Sequence, residues 1–556
     1  MTDKKIDNNQ LAPLHYLMWF RRDLRIDDNT ALTALCEKAN KDHAYVSAVF
    51  FITPEQWQQH DTAVTQVDFI MRRLPHLAKA LKDDLNITLT VAVCDTFSDC
   101  VDVLTQLCLD THVKCVMANH EYEENEINRD TQLIANLAEH NISVIRHHDQ
   151  CVLPPASITT GDNTMYKVFT PFYKKWQQHL DVSPIHCHSP CAVNEHTPAP
   201  NQSLRDVLPK KITHADNKSG IATLIKDIVK DYEDDWQKRD ALQHIDIADQ
   251  LACTRDAYPT DMGAPETRLH DFISDDIDDY DSHRDTPHSH ATSRLSAYLT
   301  TGMISPRRCY IAAIAHLERK RDNKDSDETD ITRWCSELAW RDFYRHVLCD
   351  RPELIRHEAY NQKLDKAISW SNDEDSFAAW CCGHTGVPLV DAAMRCLNAT
   401  GFMHNRLRMV VAMFLTKDLL IDWRWGEKYF VQNLIDGDFA SNNGGWQWSA
   451  STGTDSAPYF RIMNPFSQGK SHDKDALFIK QWLPELKDVP ADVLHSEAKL
   501  NKAFGDKDKK QKEKKDKDKQ KSKKQDNPYT DIDYPAPIVD HKAARRDTIA
   551  MFKDSK

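Results

Sequence analysis

The chain has 556 residues and a formal net charge of -14, with 40% hydrophobic and 28% charged residues. That is enough for roughly two to four domains with large cores. No run of about 18 apolar residues occurs. The start MTDKKIDNNQ lacks the apolar stretch of a secretory leader, so a cytoplasmic protein with no membrane span is expected. Fifteen cysteines without paired spacing argue against a disulfide framework. His186, Cys187, His188 and Cys191 lie close in sequence, and they are read as a loop without a functional metal.

From residue 15, β-rich runs alternate with helical stretches: HYLMWF, YVSAVFFI at 45–52, ITLTVAV at 87–93, VKCVMAN at 113–119 and ISVIR at 142–146. Apolar runs at this spacing predict βαβ units and a parallel, Rossmann-like sheet in an α/β domain over 12–150. Ligands are then expected at the carboxyl ends of the strands. No GxGxxG follows the first strand. The strand runs instead into RRDLRIDDN, which suits either an internally paired loop or a ligand contact, with Asn29 or Asp28 as a helix cap. After the fourth strand, NHEYEENEINRD at 119–130 stands where a ligand could bind.

Residues 151–217 change character: TMYKVFTPFYKKW reads as one ordered segment, and SPIHCHSPCAVNEHTPAPNQS reads as an interdomain linker. From 218 to 556 the 3.6-residue periodicity predicts a large helical domain. Within it, 232–270 is read as an insertion and the lysine-rich stretch at about 505–527 as disordered. That stretch could touch DNA nonspecifically, but a solvated loop is the simpler reading.

The organising stretch runs from Phe402 to Trp448. Asn405, Arg408 and Met409 fall at i, i+3 and i+4, so an amide, a guanidinium and a thioether share one helix face. Asp436 and Asp438 bracket Gly437; Asn442 and Asn443 precede Gly444-Gly445, read as a turn beside the indoles Trp446 and Trp448. A glycine turn in an aromatic core explains the same residues. A second helix at 334–346 carries Trp334, Glu337, Trp340, Arg341 and Tyr344 as a stripe. Such a stripe is usually core, but an embedded carboxylate and arginine are costly to bury unless paired or used by a ligand. Thr292, Ser293, Arg294, Leu295 and Ser296 read as a helix start suited to a phosphate. A net acidic chain disfavours DNA, yet Arg341, Arg345, Arg406 and Arg408 gather near this stretch and could form a local basic footprint.

HNRLRM, KDLLIDW, DGD, NNGGWQW and STGTDSAPYFRI, in this order, resemble the flavin-binding core of the DNA photolyase and cryptochrome family, most of all its bacterial (class I) cyclobutane pyrimidine dimer photolyases. The resemblance extends from MWFRRDLRIDDN to DYPAPIVDHKAAR. It implies an α/β domain joined by a long linker to an all-helical FAD-binding domain. It also implies an FAD contacted by Tyr280, Thr292, Ser293, Arg294, Leu295, Ser296, Trp334, Arg341, Arg408, Asp436, Gly437, Asp438 and, at the flavin N5, Asn442. Glu337, Trp340, Asn405, Met409 and Trp448 would form the pocket for a flipped dimer, with Arg284, Arg406, Arg461 and Gln468 on DNA. Trp370, Trp423 and Trp446 match an electron-transfer chain. Asn125 and Glu126 match the pocket of a 5,10-methenyltetrahydrofolate antenna, whose other side would include Ile355 and Arg356.

The activity implied is light-dependent repair of pyrimidine dimers in ultraviolet-damaged DNA by a monomer with reduced FAD and no metal. Three rivals remain. One is a cryptochrome photoreceptor, disfavoured by Asn442 and by a chain that ends soon after DYPAPIVDHKAAR. Another is a (6-4) photolyase, which would need a histidine where Met409 stands beside His404. The last is a flavoprotein binding module without catalysis.

Overall fold

A computed structural model describes residues 14–554, except 194–211, 215–217, 237, 240–241, 324–326, 457, 459, 506–528 and 530. The lysine-rich stretch therefore lies outside the described residues, apart from Gly505 at its edge. All five expected strands form: β1 (His15–Phe20), β2 (Tyr45–Ile52), β3 (Thr88–Val93), β4 (Val113–Asn119) and β5 (Ser143–His147). They are mutually parallel, in the order β5-β4-β1-β2-β3. A sixth strand, β6 (Ile212–His214), adds antiparallel to β3, so the stretch read as a linker also supplies the sheet edge.

Side chains alternate across the sheet with a period of two. Leu17, Trp19, Val49, Phe51 and Val116 face one layer. This layer contains the helices α3 (Phe97–Asp110) and α4 (Glu124–Ala138). Met18, Phe20, Ala48, Phe50 and Met117 face the other, with α1 (Thr30–Asp42) and α2 (Val64–Leu85), and that core continues without a break into the helical domain as far as Trp446.

The loop after β1 is a clamp between the domains. Asn29 caps α1 by accepting from the Leu32 N–H. The loop is partly paired within itself, Arg25 donating to the carbonyls of Asp27 and Asp28, and its charged side chains also pair with distant segments. Arg25 reaches Asp149 at 2.5 Å. Arg307 reaches Asp28 at 3.1 Å and Asp149 at 2.9 Å. The carboxyl ends of β1 and β4 are similarly filled, by Arg21 on Asp130 at 2.6 Å and Arg129 on Glu121 at 2.8 Å.

The helices that build and support the site are α5 (Phe169–Val182), α6 (Lys218–Trp236), α7 (Ile247–Ala257), α8 (Pro306–Asp322, carrying Arg307), α9 (Thr329–Asp350), α10 (Glu374–Cys382), α11 (Pro388–Thr400), α12 (Asn405–Met413), α13 (Trp423–Asn433), α14 (Phe439–Ala450) and α15 (His541–Asp554). The segment read as an insertion is integral to the core: Tyr232, Trp236, Leu242, Ile247 and Leu251 are buried, and the Tyr232 hydroxyl donates to Thr62 O at 2.8 Å. The C-terminal α15 docks through His541, whose Nδ1 lies 2.6 Å from Asp418, and through Thr548, which donates to Lys417 O.

Candidate functional site

Three helices bring the expected pocket residues together. α9 carries Trp334, Glu337, Trp340 and Arg341; α12 carries Asn405, Arg406, Arg408 and Met409; α14 carries Asn442, Trp446 and Trp448. Gly444 and Gly445 lie inside α14, which corrects the expected turn. A Cβ on Gly444 would stand 2.2 Å from the Tyr344 ring, and one on Gly426 of α13 would stand 2.1 Å from Trp446. Backbone does pass close to flat rings here, but it does so as helix, because a missing side chain permits close approach without breaking the hydrogen-bond ladder.

Glu337 accepts from Arg284 Nη1 at 2.5 Å. Arg284 Nε lies 3.8 Å from Asp285, and Asp285 accepts from Arg406. The string Glu337, Arg284, Asp285, Arg406 thus ties α9 to α12 through alternating charges. Trp340 is half-buried and stacks one face on Phe169 of α5, with ring centroids 3.7 Å apart and planes 7° apart. Asn405 is exposed; Met409 and Trp448 are half-buried. His404 caps α12, accepting from the Arg406 N–H at 3.2 Å, and burial pulls its pKa down to about 4.

The expected basic footprint is largely neutralised. Arg345 pairs with Asp438, Arg406 with Asp285, and Arg408 with Asp436 at 2.8 Å. Arg284, placed on DNA by resemblance, is engaged by Glu337; Arg461 is exposed, and Gln468 is half-buried with an Oε1 that has no partner.

Arg341 is different. Among the described residues its guanidinium donates to the carbonyls of Gln150 and Leu299, with no carboxylate in ion-pair range. Burial and the neighbouring Arg345 lower its pKa, and an anionic ligand beside it would oppose that shift. Nearby polar groups point the same way. The helix expected to start at Thr292 and Ser293 begins only at Ser296, with Leu295 at its cap and no side-chain cap bond, so the two hydroxyls are not used in capping. Arg294 has a left-handed φ of 48° and sits over the Phe402 ring at 5.2 Å, with Arg408 also over that ring at 5.7 Å. Phe272 contacts both Tyr280, at 5.9 Å, and Trp334, at 5.2 Å. Asp438 caps α14 by accepting from the Ser441 N–H at 2.9 Å; Gly437 O accepts from Gln66 Nε2 at 2.9 Å; Asn442 Nδ2 donates to Glu427 O at 3.0 Å. Two arginines without a carboxylate partner among the described residues, Arg341 and Arg294, with hydroxyls not used in capping and aromatic walls, suit an anionic ligand that also carries flat rings.

A cavity of about 1000 Å³ lies between the α/β and helical domains. Asn125, Glu126, Arg22 and His60 line one side; Ile355, His357, Glu427, Trp425 and Tyr429 line the other. Asn125 Nδ2 lies 2.8 Å from His60 Nε2. Glu126 is buried, and one of its carboxyl oxygens has no partner. Burial and the nearby Glu123 and Glu121 push its pKa up to about 8, while burial and Arg22 pull His60 down to about 4. Arg356 points elsewhere, pairing with Glu124 at 3.0 Å. Of the three expected electron-transfer tryptophans, Trp446 and Trp423 are buried and Trp370 is half-buried.

Sequence reasoning missed Asp285, Phe169, His60 and Gln66. Asp285 directly follows Arg284 and was open to notice. The others come from distant elements and carry no local signal.

The fold joins an N-terminal parallel α/β domain to a mostly helical remainder, whose helices bring charged and aromatic side chains together. A model of the FAD binding domain of DNA photolyase matches residues 334–554, and a DNA photolyase model matches 16–199. The chain is 37% identical over 542 residues to a deoxyribodipyrimidine photo-lyase of Escherichia coli, covering 97% of this chain and 99% of that one. It is 38% identical over 546 residues to the Salmonella typhimurium deoxyribodipyrimidine photo-lyase, with 98% and 99% covered. Among solved structures, a bacterial class III photolyase from Agrobacterium tumefaciens superposes with a TM-score of 0.73 at 30% identity, covering 99% of both chains. A Synechocystis cryptochrome does so with a TM-score of 0.72 at 25% identity, covering 98% of this chain and 100% of the other. The chain belongs to the DNA photolyase family and carries its FAD-binding domain.

Proposed function

We propose that this chain is a deoxyribodipyrimidine photo-lyase, which splits cyclobutane pyrimidine dimers in DNA under blue light. The observation that carries the reading is the pairing of Glu337 and Trp340 on one helix with Asn405 and Met409 on another, the two helices joined through Arg284, Asp285 and Arg406. A lesion within a duplex cannot reach a buried cofactor, so it must leave the stack; photolyases are themselves a standard case of base flipping. The free face of Trp340 receives a flipped base, with Phe169 holding the indole in place from behind. Glu337 accepts from the N–H edge of the dimer, and Arg284 fixes its rotamer. Arg341, Thr292, Ser293, Asp436 and Asp438 would hold FAD. When bound and reduced, it would supply one electron for opening the cyclobutane ring and would recover it, so that the reaction has no net redox change. Neutral His404, committed to capping α12, favours this substrate over a (6-4) photoproduct.

The cavity at Asn125 and Glu126 takes an antenna, and 5,10-methenyltetrahydrofolate fits it: a pterin edge can meet the unpartnered Glu126 carboxyl and the Asn125 amide. The chain works as a cytoplasmic monomer; among the described residues no helix is long and apolar enough to cross a membrane.

The test is to reduce the purified, FAD-loaded protein, mix it with ultraviolet-irradiated oligothymidylate, illuminate, and follow recovery of thymine absorbance. Light-dependent recovery that is lost in Glu337→Ala and Trp340→Ala is the expected result. No recovery while the flavin is still photoreduced would overturn repair in favour of a photoreceptor.

A further inference from the structure

Trp446 has a second set of aromatic neighbours that a path through Trp423 and Trp370 does not use. Trp380 on α10, fully buried, meets Trp446 edge-on at 6.1 Å and Tyr429 of α13 edge-on at 5.5 Å. The buried Tyr429 hydroxyl lies 2.7 Å from Asn398 Oδ1, 3.1 Å from Cys381 O and 3.1 Å from His244 Nε2. Asn398 Nδ2 also lies 3.1 Å from His244 Nε2, and since an amide N–H can only donate, that nitrogen is an acceptor in this arrangement. The His244 and Tyr429 rings are parallel within 4°, and His244 is exposed. Burial raises the pKa of the phenol, so the tyrosine rests in its neutral form. Trp425 is the other candidate terminus, but it lies behind Phe377, a ring far harder to oxidise than an indole or a phenol.

We propose that Tyr429 and His244 form a redox-active tyrosine–histidine pair at the end of a side branch running from Trp446 through Trp380. The proposal rests on the reading of Trp446 as the first donor to the flavin. Once Trp446 has given an electron to the light-excited flavin, Trp380 refills it and Tyr429 refills Trp380. As the last electron leaves, the single phenol proton turns from Asn398 Oδ1 to His244 Nε2, the one basic acceptor among the three around the hydroxyl, and the O–H bond breaks as the imidazole takes it. The products are neutral Trp446 and Trp380, a neutral tyrosyl radical and an imidazolium. A soluble thiolate then returns one electron, becoming a thiyl radical, and His244 returns the proton. Because the return of the electron requires the return of the proton, this branch holds the separated charge longer than tryptophan alone.

The test uses the full-length, FAD-loaded, oxidised protein, flashed with blue light and followed by time-resolved electron paramagnetic resonance, with ring-deuterated tyrosine to identify the radical. A tyrosyl signal narrowed by tyrosine deuteration is expected, absent in Tyr429→Phe and Trp380→Phe. In His244→Gln it should form on the order of 100-fold more slowly, the low end of what a positioned proton acceptor contributes, and lose its solvent deuterium isotope effect. Because His244 is exposed, this variant tests the pair even if a buried substitution disturbs folding. A tyrosyl signal that survives Tyr429→Phe, or tryptophanyl radicals alone in the parent protein, would overturn the branch. No protein radical at all, with flavin bound, would remove the Trp446 reading beneath it as well.

Discussion

Two clusters of buried charge, a short distance apart in the fold, are built on opposite principles. In the clamp after β1, Arg25, Asp28, Asp149 and Arg307 are all deeply buried, and every charge has an opposite partner. In the cavity wall, Glu121 pairs with Arg21, Arg22 and Arg129, and Glu123 with Arg22, while Glu126 has no arginine in ion-pair range among the described residues. Glu126 is left facing His60 at 3.9 Å, an imidazole that its surroundings keep neutral. Burying a charge costs several kcal/mol, and only good pairing recovers it. The matched cluster holds the domains together; the unmatched one stores an imbalance that a ligand can relieve.

Removing a partner from the matched cluster should have the largest effect. Asp149→Ala strands Arg25 and leaves Arg307 with Asp28 alone, and the loss is expected at about 3–5 kcal/mol, read as a lower urea midpoint. Burial alone would raise the Asp149 pKa, but the two guanidiniums hold it well below the usual carboxylate range. Its contribution is therefore complete above the pKa of an unfolded aspartate and is lost as pH falls below it. An Asp149→Ala midpoint equal to that of the parent at neutral pH would show that the clamp is not a source of stability.

The proposed dimer pocket resembles the clamp in that Glu337 is paired with Arg284, so its rings add stacking to the bond that Glu337 makes. Trp340→Ala should weaken binding of dimer-containing DNA by about 1–3 kcal/mol, the value of one base–aromatic stack. A titration with irradiated and unirradiated oligonucleotides checks it; equal losses on both would mean that Trp340 supports the backbone instead of reading the lesion.

The cavity predicts an effect of the opposite sign. With its folded pKa near 8, Glu126 is protonated in the folded apoprotein at pH values where the unfolded chain has already lost that proton. Stability contributed by this group therefore falls as pH rises from the unfolded pKa toward 8, on the order of 1 kcal/mol per pH unit. Glu126→Gln should flatten that slope and make the apoprotein more stable at pH 8, while losing any antenna chromophore that copurifies. Thermal melts across pH are decisive: an unchanged slope would mean that Glu126 is not the strained group.

The sheet was legible because buried parallel strands read as near-continuous apolar runs, as HYLMWF and YVSAVFFI do. β6 was not, because three residues at a sheet edge carry no such run. The stripe of Trp334, Glu337 and Trp340 was visible through helical spacing alone. What could not be seen is how charges cancel: Arg345, Arg406 and Arg408 read as a basic patch until Asp438, Asp285 and Asp436 arrive from elsewhere in the fold. Pairing across long sequence separations is a property of the folded chain.

The smallest prediction separates two adjacent glycines that the sequence presents as equivalent. Gly444 abuts Tyr344, so an added methyl there must displace a buried ring. Gly445 has nothing within 4 Å of where a Cβ would lie, and it sits in mid-helix with ordinary helical backbone. Glycine in a helix costs about 0.5–1 kcal/mol relative to alanine. Gly445→Ala should therefore raise the stability of the apoprotein by that amount, whereas Gly444→Ala should lower it. The informative measurement is to repeat the Gly445→Ala melt with FAD bound. If the gain persists, the space beside residue 445 belongs to solvent. If the gain reverses as flavin is lost, the missing side chain is there to let the cofactor approach α14, and the glycine pair serves a protein ring on one side and a ligand ring on the other.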